Sequence, residues 1–399
     1  MLEESLRRRA ILSSYLGWVL DGYDALLITP IMPLLGDLFF PGPYSFLGGL
    51  STLVATLIGR PLGSVAMGYV GDKLGRRIGL LITVLGYSLA ALAMAVMPTY
   101  NEVGIIAPLS LLTLRFIQGI FLGGEWGPGT AMIMEWSKWR SEWASAFVQS
   151  GYPIGVVMAT LVYTGFTSFI NQPAFSKVWW RVYIATGIVA AVIAFLIRSR
   201  LMESPLWRKP RGNPLTLLFK LRGRSLGMGI MFTGGLLTIY YSTYLIYSEL
   251  LAYIGKPWLI PSVMLAATVA AVAAVLLAGP LSFVINYKWV VVITLALSLA
   301  FAPYALMINP SFTSLVALAF IENFAMGLVP HALVSKFEPE YRASGLGIAY
   351  NWGLLIGGWA PMLVGLIRPM NLGMLVMMVV GVLLAVAGIL LLATEHPKH

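Results

Sequence analysis

Four ionisable residues fall inside long apolar runs. Asp21 and Asp24 lie about ten and thirteen residues into the run 11–35, Arg115 about ten into 105–134, and Glu322 within 311–335. At ~1.5 Å per helical residue, that depth is roughly 15–20 Å, near the middle of ~30 Å of hydrocarbon. Each central charge costs roughly 2.5–3.5 kcal/mol to insert, about 10–14 kcal/mol for four. A folded protein's entire net stability is about 5–15 kcal/mol. Such groups persist only when paired, hydrated in a cavity or neutralised. One chemistry uses all three conditions. A contact between Asp24 and Arg115 keeps the acid ionised, and a proton on Asp24 frees the planar guanidinium fork for a substrate carboxylate. Proton and anion then favour each other's binding. Asp21 has Arg60 as its expected partner, an uncertain pairing because Arg60 sits nearer one end of its run. The competing reading of either pair is an ion pair that only fixes helix packing. Glu322, followed by Asn323, reads as a second proton site, a contact for a substrate hydroxyl or amine, or a satisfied core acid.

The elements that position these groups follow from composition. The 399 residues are 59% hydrophobic and 11% charged, with a mean hydropathy of +0.85; a water-soluble chain carries roughly a quarter charged residues. The apolar runs match the length of membrane-crossing helices, and the alternating ten-residue pattern of a membrane barrel is absent. Twelve spans are expected, at 11–35, 46–70, 78–98, 105–134, 144–169, 180–198, 226–250, 258–283, 289–308, 311–335, 343–367 and 371–393. The longest polar connection, 199–225, divides them into two six-helix bundles, 1–198 and 226–399. Of the 26 lysines and arginines, Arg60 and Arg115 are inside spans and Lys177, Arg181, Lys256 and Arg368 are on one side. The rest gather on the other, including Arg200, in the connection, and Lys398. By the positive-inside rule both termini are expected in the cytoplasm. The net charge of +10 is therefore read as topological, with no nucleic-acid partner. MLEESLRRR leads straight into a run containing two acids, which argues for a retained first helix over a cleaved signal. There is no cysteine, and His331, His396 and His399 are not clustered. No metal, cofactor or enzyme activity is expected.

Further candidates line up on helical faces. Tyr240, Tyr244 and Tyr247 follow i, i+4, i+7, with Tyr241 beside them; the first three of this tyrosine group (240, 241, 244) suit a cavity wall and Tyr247 an interfacial belt. Gln149, four residues before Pro153, is a cavity candidate because proline frees a backbone carbonyl. Gln118, Asn351 and Trp352 are polar or amphipathic groups at depth that either meet substrate or brace helices. His331 is expected to be interfacial.

The stretch GYVGDKLGRR, carrying Gly68, Asp72, Gly75, Arg76 and Arg77, resembles the loop between the second and third helices of the major facilitator superfamily. Arg115-Phe-Ile-Gln118-Gly119 is similar to a fourth-helix motif of that superfamily. Gly124-Glu125-Trp126-Gly127, Gln149 to Gly155, Glu203-Ser204-Pro205-Leu206-Trp207, Arg342 to Asn351 and Asp21-Gly22-Tyr23-Asp24 extend the likeness over nearly the whole chain. The branch resembled is that of metabolite, sialate and aromatic-acid proton symporters, with sugar porters and organic-ion carriers as neighbours. Three stretches depart from the pattern: Phe283 stands where the second half's turn would carry an acid, WSKWRSEW follows Glu135, and Phe337-Glu338-Pro339 interrupts a more usual Phe-Pro. The resemblance implies an all-α membrane protein of twelve helices in two pseudo-symmetric bundles, alternating access, and an acid on the first helix coupled to an arginine on the fourth. It also implies a gate through Gly68, Asp72, Gly75, Arg76 and Arg77 that holds the inside closed, to which Glu125, Glu135 and Arg140 are added as gate candidates. The expected function is proton-coupled symport of a small organic anion by a monomer in the inner membrane. A sugar or polyol carrier and an organic-cation antiporter are the alternatives.

Overall fold

Backbone amides in lipid must be satisfied within their own segment, and the apolar runs accordingly form helices. The computed structural model describes residues 2–199 and 202–395; Arg200, His396, Lys398 and His399 lie outside the described residues. The first six spans are α1 (Leu2–Leu27), α2 (Ser45–Lys73), α3 (Arg76–Val96), α4 (Ile106–Trp136), α5 (Ser141–Phe169) and α6 (Trp180–Ser199). The second six are α7 (Pro214–Ser242), α8 (Ile260–Val284), α9 (Tyr287–Pro303), α10 (Phe312–Val334), α11 (beginning at Arg342–Asn351) and α12 (Met370–Thr394). No strand occurs among the described residues.

Several spans differ from the sequence expectation. α1 is prolonged beyond Pro30 by a short helix, Met32–Phe39. The expected continuous span 343–367 is interrupted, continuing as Leu354–Gly357 and Ala360–Leu366. Gly353, Gly357, Gly358 and Pro361 weaken the helix there, leaving eleven helices long and apolar enough to cross a membrane among the described residues. The second part of the polar connection is already helical: Asn213 caps α7 by accepting from the backbone N–H of Leu215 (2.9 Å) and Thr216 (3.3 Å). α7 then breaks at Thr243, which has φ −121° and ψ −90°, and resumes at Tyr247–Tyr253.

Within the first half α1 packs along α5, α2 along α4 and α3 along α6; within the second, α7 runs along α12 and α8 along α10. The halves meet where α5 lies against α8 and α10, and where α11 lies against α2 and α4. Small residues set one close crossing. Gly59 and Gly63 of α2 face Gly119 and Gly123 of α4, and a Cβ at any of them would collide with the other helix's backbone. This small-xxx-small contact holds two arginine-bearing helices in register. Leu47, Val96, Phe169, Leu196 and Leu366 point outward, largely exposed, as a surface in lipid requires.

The turn between α2 and α3 needs a glycine. Gly75 has φ 117° and ψ 147°, and a Cβ there would also strike Glu203. Gly75→Ala is expected to cost about 1–3 kcal/mol, read as a lower melting temperature of the purified protein.

Candidate functional site

A small cavity of about 50 Å³ lies between the halves. The first half supplies Trp18 from α1, Arg60 from α2, and Gln149, Tyr152 and Pro153 from α5. The second supplies Tyr240 and Tyr241 from α7, Tyr244 just past its break, Asn323 and Met326 from α10, and Tyr350 from α11. The rings pack in two groups. Trp18 is 5.2 Å from Tyr152 and 6.0 Å from Tyr350, which stacks on Trp126 at 4.2 Å. Across from them, Tyr240 is 5.3 Å from Tyr241 and 5.1 Å from Tyr244. Gln149 Oε1 accepts from Trp126 Nε1 at 2.9 Å, which fixes the amide at the wall.

Arg60 is the one charged residue among those lining the cavity. Its Nη2 donates to Asp21 Oδ1 at 2.6 Å. Asp21 is fully buried, and its second oxygen has no hydrogen-bond partner. The expected Asp24–Arg115 contact does not form. Arg115 Nε donates to the Thr52 carbonyl at 3.2 Å, and its Nη1 donates to Gln118 Oε1. The close α2–α4 crossing explains this, because it brings a backbone acceptor of α2 within reach of the guanidinium. Arg115 and Gln118 therefore lie outside the cavity, and Asp24 is buried with Oδ1 unpartnered.

Asn351 and Trp352 are not cavity residues either. Asn351 Nδ2 donates to the Gly123 and Gly347 carbonyls, both at 3.0 Å, and Trp352 Nε1 to the Pro61 carbonyl at 3.3 Å. Both brace one half against the other. Of the expected substrate contacts, Gln149, Tyr240, Tyr241, Tyr244 and Asn323 reach the cavity. Sequence reasoning missed Trp18, Tyr152 and Tyr350. Trp18 carried a usable signal, standing three residues before Asp21 on the same helical face.

At the end of the bundle that bears the interhelical connection after α6, the halves are latched. Asp72 accepts from the backbone N–H of Ala343 (3.0 Å) and Ser344 (2.8 Å), capping α11. Arg76 donates to Asp72 (2.7 Å), to the Gly71 carbonyl (3.0 Å) and across the seam to the Pro339 carbonyl (2.6 Å). Glu135 pairs with Arg342 at 2.8 Å and lies 3.6 Å from Arg76. Glu203 accepts from the backbone N–H of Arg76 (3.0 Å) and Arg77 (3.2 Å), and Arg77 donates to the Ser199 carbonyl at 2.6 Å. Gly68 lies against Ser344 with no room for a Cβ. Glu125 is ion-paired with Arg198 of α6 and accepts from Thr83 at 2.6 Å, all inside the first half. Arg140 is exposed, 3.8 Å from Glu142 and stacked over Phe283.

His331 belongs to the same seam. Its backbone N–H donates to Ser145 Oγ at 3.0 Å and its Nδ1 meets Ser141 Oγ at 2.9 Å, while Ser145 Oγ donates to the Gly327 carbonyl at 2.7 Å. The described hydrogen bonds between the halves run from mid-bundle to this latched end.

In the second half Glu322 is buried with both oxygens 3.0 Å from Thr243 Oγ1. Tyr247, expected in an interfacial belt, is fully buried. On the loop after α10, Glu338 accepts from Arg222 Nε (3.1 Å) and from Tyr341. Burial pushes its carboxyl up, but these bonds outweigh it and hold it below the ordinary value. Such a pair stabilises at neutral pH and stops doing so as pH falls through the lowered value. Glu338→Gln should therefore melt earlier than wild type at neutral pH, with the difference fading as acidification passes through the lowered carboxyl value.

The site is thus a central cavity between two helical bundles that are latched at one end. Residues 10–213 match the family model for "Sugar (and other) transporter", and the chain belongs to that family, within the major facilitator superfamily. It is 34% identical over 209 residues to the shikimate transporter of Escherichia coli, a match spanning 51% of this chain and 48% of that protein. It is 25% identical over 426 residues to the glycine betaine/proline/ectoine/pipecolic acid transporter OusA of Dickeya dadantii, spanning 98% of this chain and 83% of that protein. The matched stretch thus covers about half the length of the first of these relatives. Among solved structures, the proton:xylose symporter XylE bound to 6-bromo-6-deoxy-D-glucose superposes with a TM-score of 0.77 at 19% identity, covering 96% of this chain and 95% of that one. A human organic anion transporter gives 0.69 at 15% identity, covering 97% of this chain and 99% of that one. These two likenesses establish the shared fold.

Proposed function

We propose that this protein is a proton-driven symporter of a small organic anion, a carboxylate or sugar acid, in the inner membrane with both termini in the cytoplasm. One observation carries the reading: Arg60, the one guanidinium among the described residues that line the cavity, is held by Asp21. A proton on Asp21 removes the charge that occupies Arg60, and a substrate carboxylate takes its place in the same fork geometry. Each ligand favours the other by linkage. Moving the coupling pair from Asp24 and Arg115 to Asp21 and Arg60 is what separates this reading from the sequence expectation. The latch at the positive-rich end corresponds to a carrier closed to the cytoplasm and loaded from the other face. The names of a shikimate transporter and a proton:xylose symporter among the similar proteins support an acid or hydroxylated cargo moved with protons.

A sugar or polyol carrier is the second reading, favoured by the phenols of Tyr152, Tyr240, Tyr241 and Tyr350 around the cavity. A thermal-shift screen of purified protein against carboxylates, sugars and quaternary amines at several pH values separates them, since a ligand stabilises the state that binds it. Carboxylates are expected to raise the melting temperature, and more so at lower pH. Stabilisation by neutral sugars alone, independent of pH, would replace the anion reading with the second one.

A further inference from the structure

Glu322 takes no part in the coupling just described, and its surroundings determine where its proton is. Thr243 Oγ1 has three oxygen neighbours: the Ile239 carbonyl at 2.7 Å and the two Glu322 oxygens, each at 3.0 Å. A hydroxyl has one hydrogen, and a carbonyl can only accept. Given to Ile239, the shortest of the three contacts, that hydrogen leaves none for Glu322. The contact to Glu322 then needs a hydrogen supplied by the carboxyl itself. The ionised alternative leaves a carboxylate that is 4% exposed with one neutral donor and, among the described residues, no arginine, lysine or histidine paired with it. Buried charge of that kind persists only when it is paired. The titratable groups facing it are the phenols of Tyr244 and Tyr247, one bonded to Thr268 and the other without a partner.

The same threonine is where α7 breaks. Residues 243–247, TYLIY, contain neither proline nor glycine, so tertiary contacts hold the break open, the Glu322–Thr243 bond among them. On either side of it Tyr241 and Tyr244 line the cavity, as does Asn323, next to Glu322 in sequence.

We infer that Glu322 is a second proton-carrying site, in the half opposite Asp21 and Arg60, filled while α7 is broken at Thr243 and emptied when that segment rearranges around cargo. Protonated Glu322 donates to Thr243 Oγ1, which donates to the Ile239 carbonyl. Two protons then accompany each substrate anion, and transport carries net positive charge inward. That consequence rests on the symport reading; the protonated carboxyl does not.

The test is infrared difference spectroscopy of purified protein at neutral pH, wild type against Glu322→Gln. A carboxylic-acid carbonyl band that shifts in heavy water should be present in the wild type and missing in the variant. Thr243→Val, which leaves Glu322 in place, should move that band to higher frequency by removing its acceptor. A well-folded Glu322→Gln protein with an unchanged carbonyl region would overturn the inference. Should that variant fail to fold, a band unmoved by Thr243→Val would do the same. The symport reading fails by a different result, no carboxylate stabilising the protein at any pH, which leaves this band as it is.

Discussion

Arg60→Lys will weaken carboxylate binding about ten- to a hundredfold, the loss of one charge-assisted hydrogen bond worth about 1.5–3 kcal/mol. Lysine keeps the charge but presents a single ammonium where the guanidinium offers a planar fork. Arg60 must hold Asp21 with one nitrogen, as it does at 2.6 Å, and still face the cavity. The measurement is a titration with whichever carboxylate most stabilises the wild type. Arg115→Lys serves as the contrast. Its donors go to Thr52 and Gln118, so its effect belongs in melting temperature, with affinity changed by less than about threefold, under ~0.7 kcal/mol. If Arg115→Lys loses the affinity and Arg60→Lys keeps it, the site has been placed on the wrong helix.

Asp21→Asn should separate transport from its driving force. Without an acid to receive the proton, a pH gradient no longer drives accumulation in proteoliposomes, while exchange of substrate for substrate continues. The substitution also strands Arg60, and breaking a buried pair costs about 3–5 kcal/mol. The cavity moderates that cost, since water or cargo can reach the guanidinium. The ligand-free variant is therefore expected to melt earlier than wild type and to gain more from bound carboxylate. Asp24→Asn should retain gradient-driven uptake. A variant at position 21 that still accumulates substrate against its gradient would refute the coupling role of this acid.

The reason Asp21 and Asp24 were hard to tell apart lies in what a sequence encodes. Residue counts give height along a helix, and that was enough to find Asp21, Asp24, Arg60, Arg115 and Glu322 but not the buried Arg198. They do not give rotation about the helix axis. Residues three apart on α1 differ by about 60° of rotation, and only packed neighbours decide which faces the cavity. The rotation of α4 is set by Gly119 and Gly123 against α2, a small-xxx-small contact whose partner helix the pattern does not name. Glycine-rich motifs and charge asymmetry made the twelve spans and the turn at Gly75 legible. The break in α11 had its glycines and proline in view, whereas residues 243–247, where α7 breaks, contain neither. Tyr247 shows the same limit: its i, i+7 spacing from Tyr240 names a face, but the bend at Thr243 turns that face into the protein interior.

The latch has one more property. In most of its crossings one partner is main chain: Asp72 meets the amides of Ala343 and Ser344, Arg76 the carbonyl of Pro339, Ser145 that of Gly327, and Asn351 that of Gly123. A peptide group stays the same whatever residue carries it. Each bundle can accordingly drift in sequence without its neighbour having to follow. A chimera uniting residues 1–198 with a relative's second bundle should still form these contacts at that end while presenting a different set of side chains to the cavity.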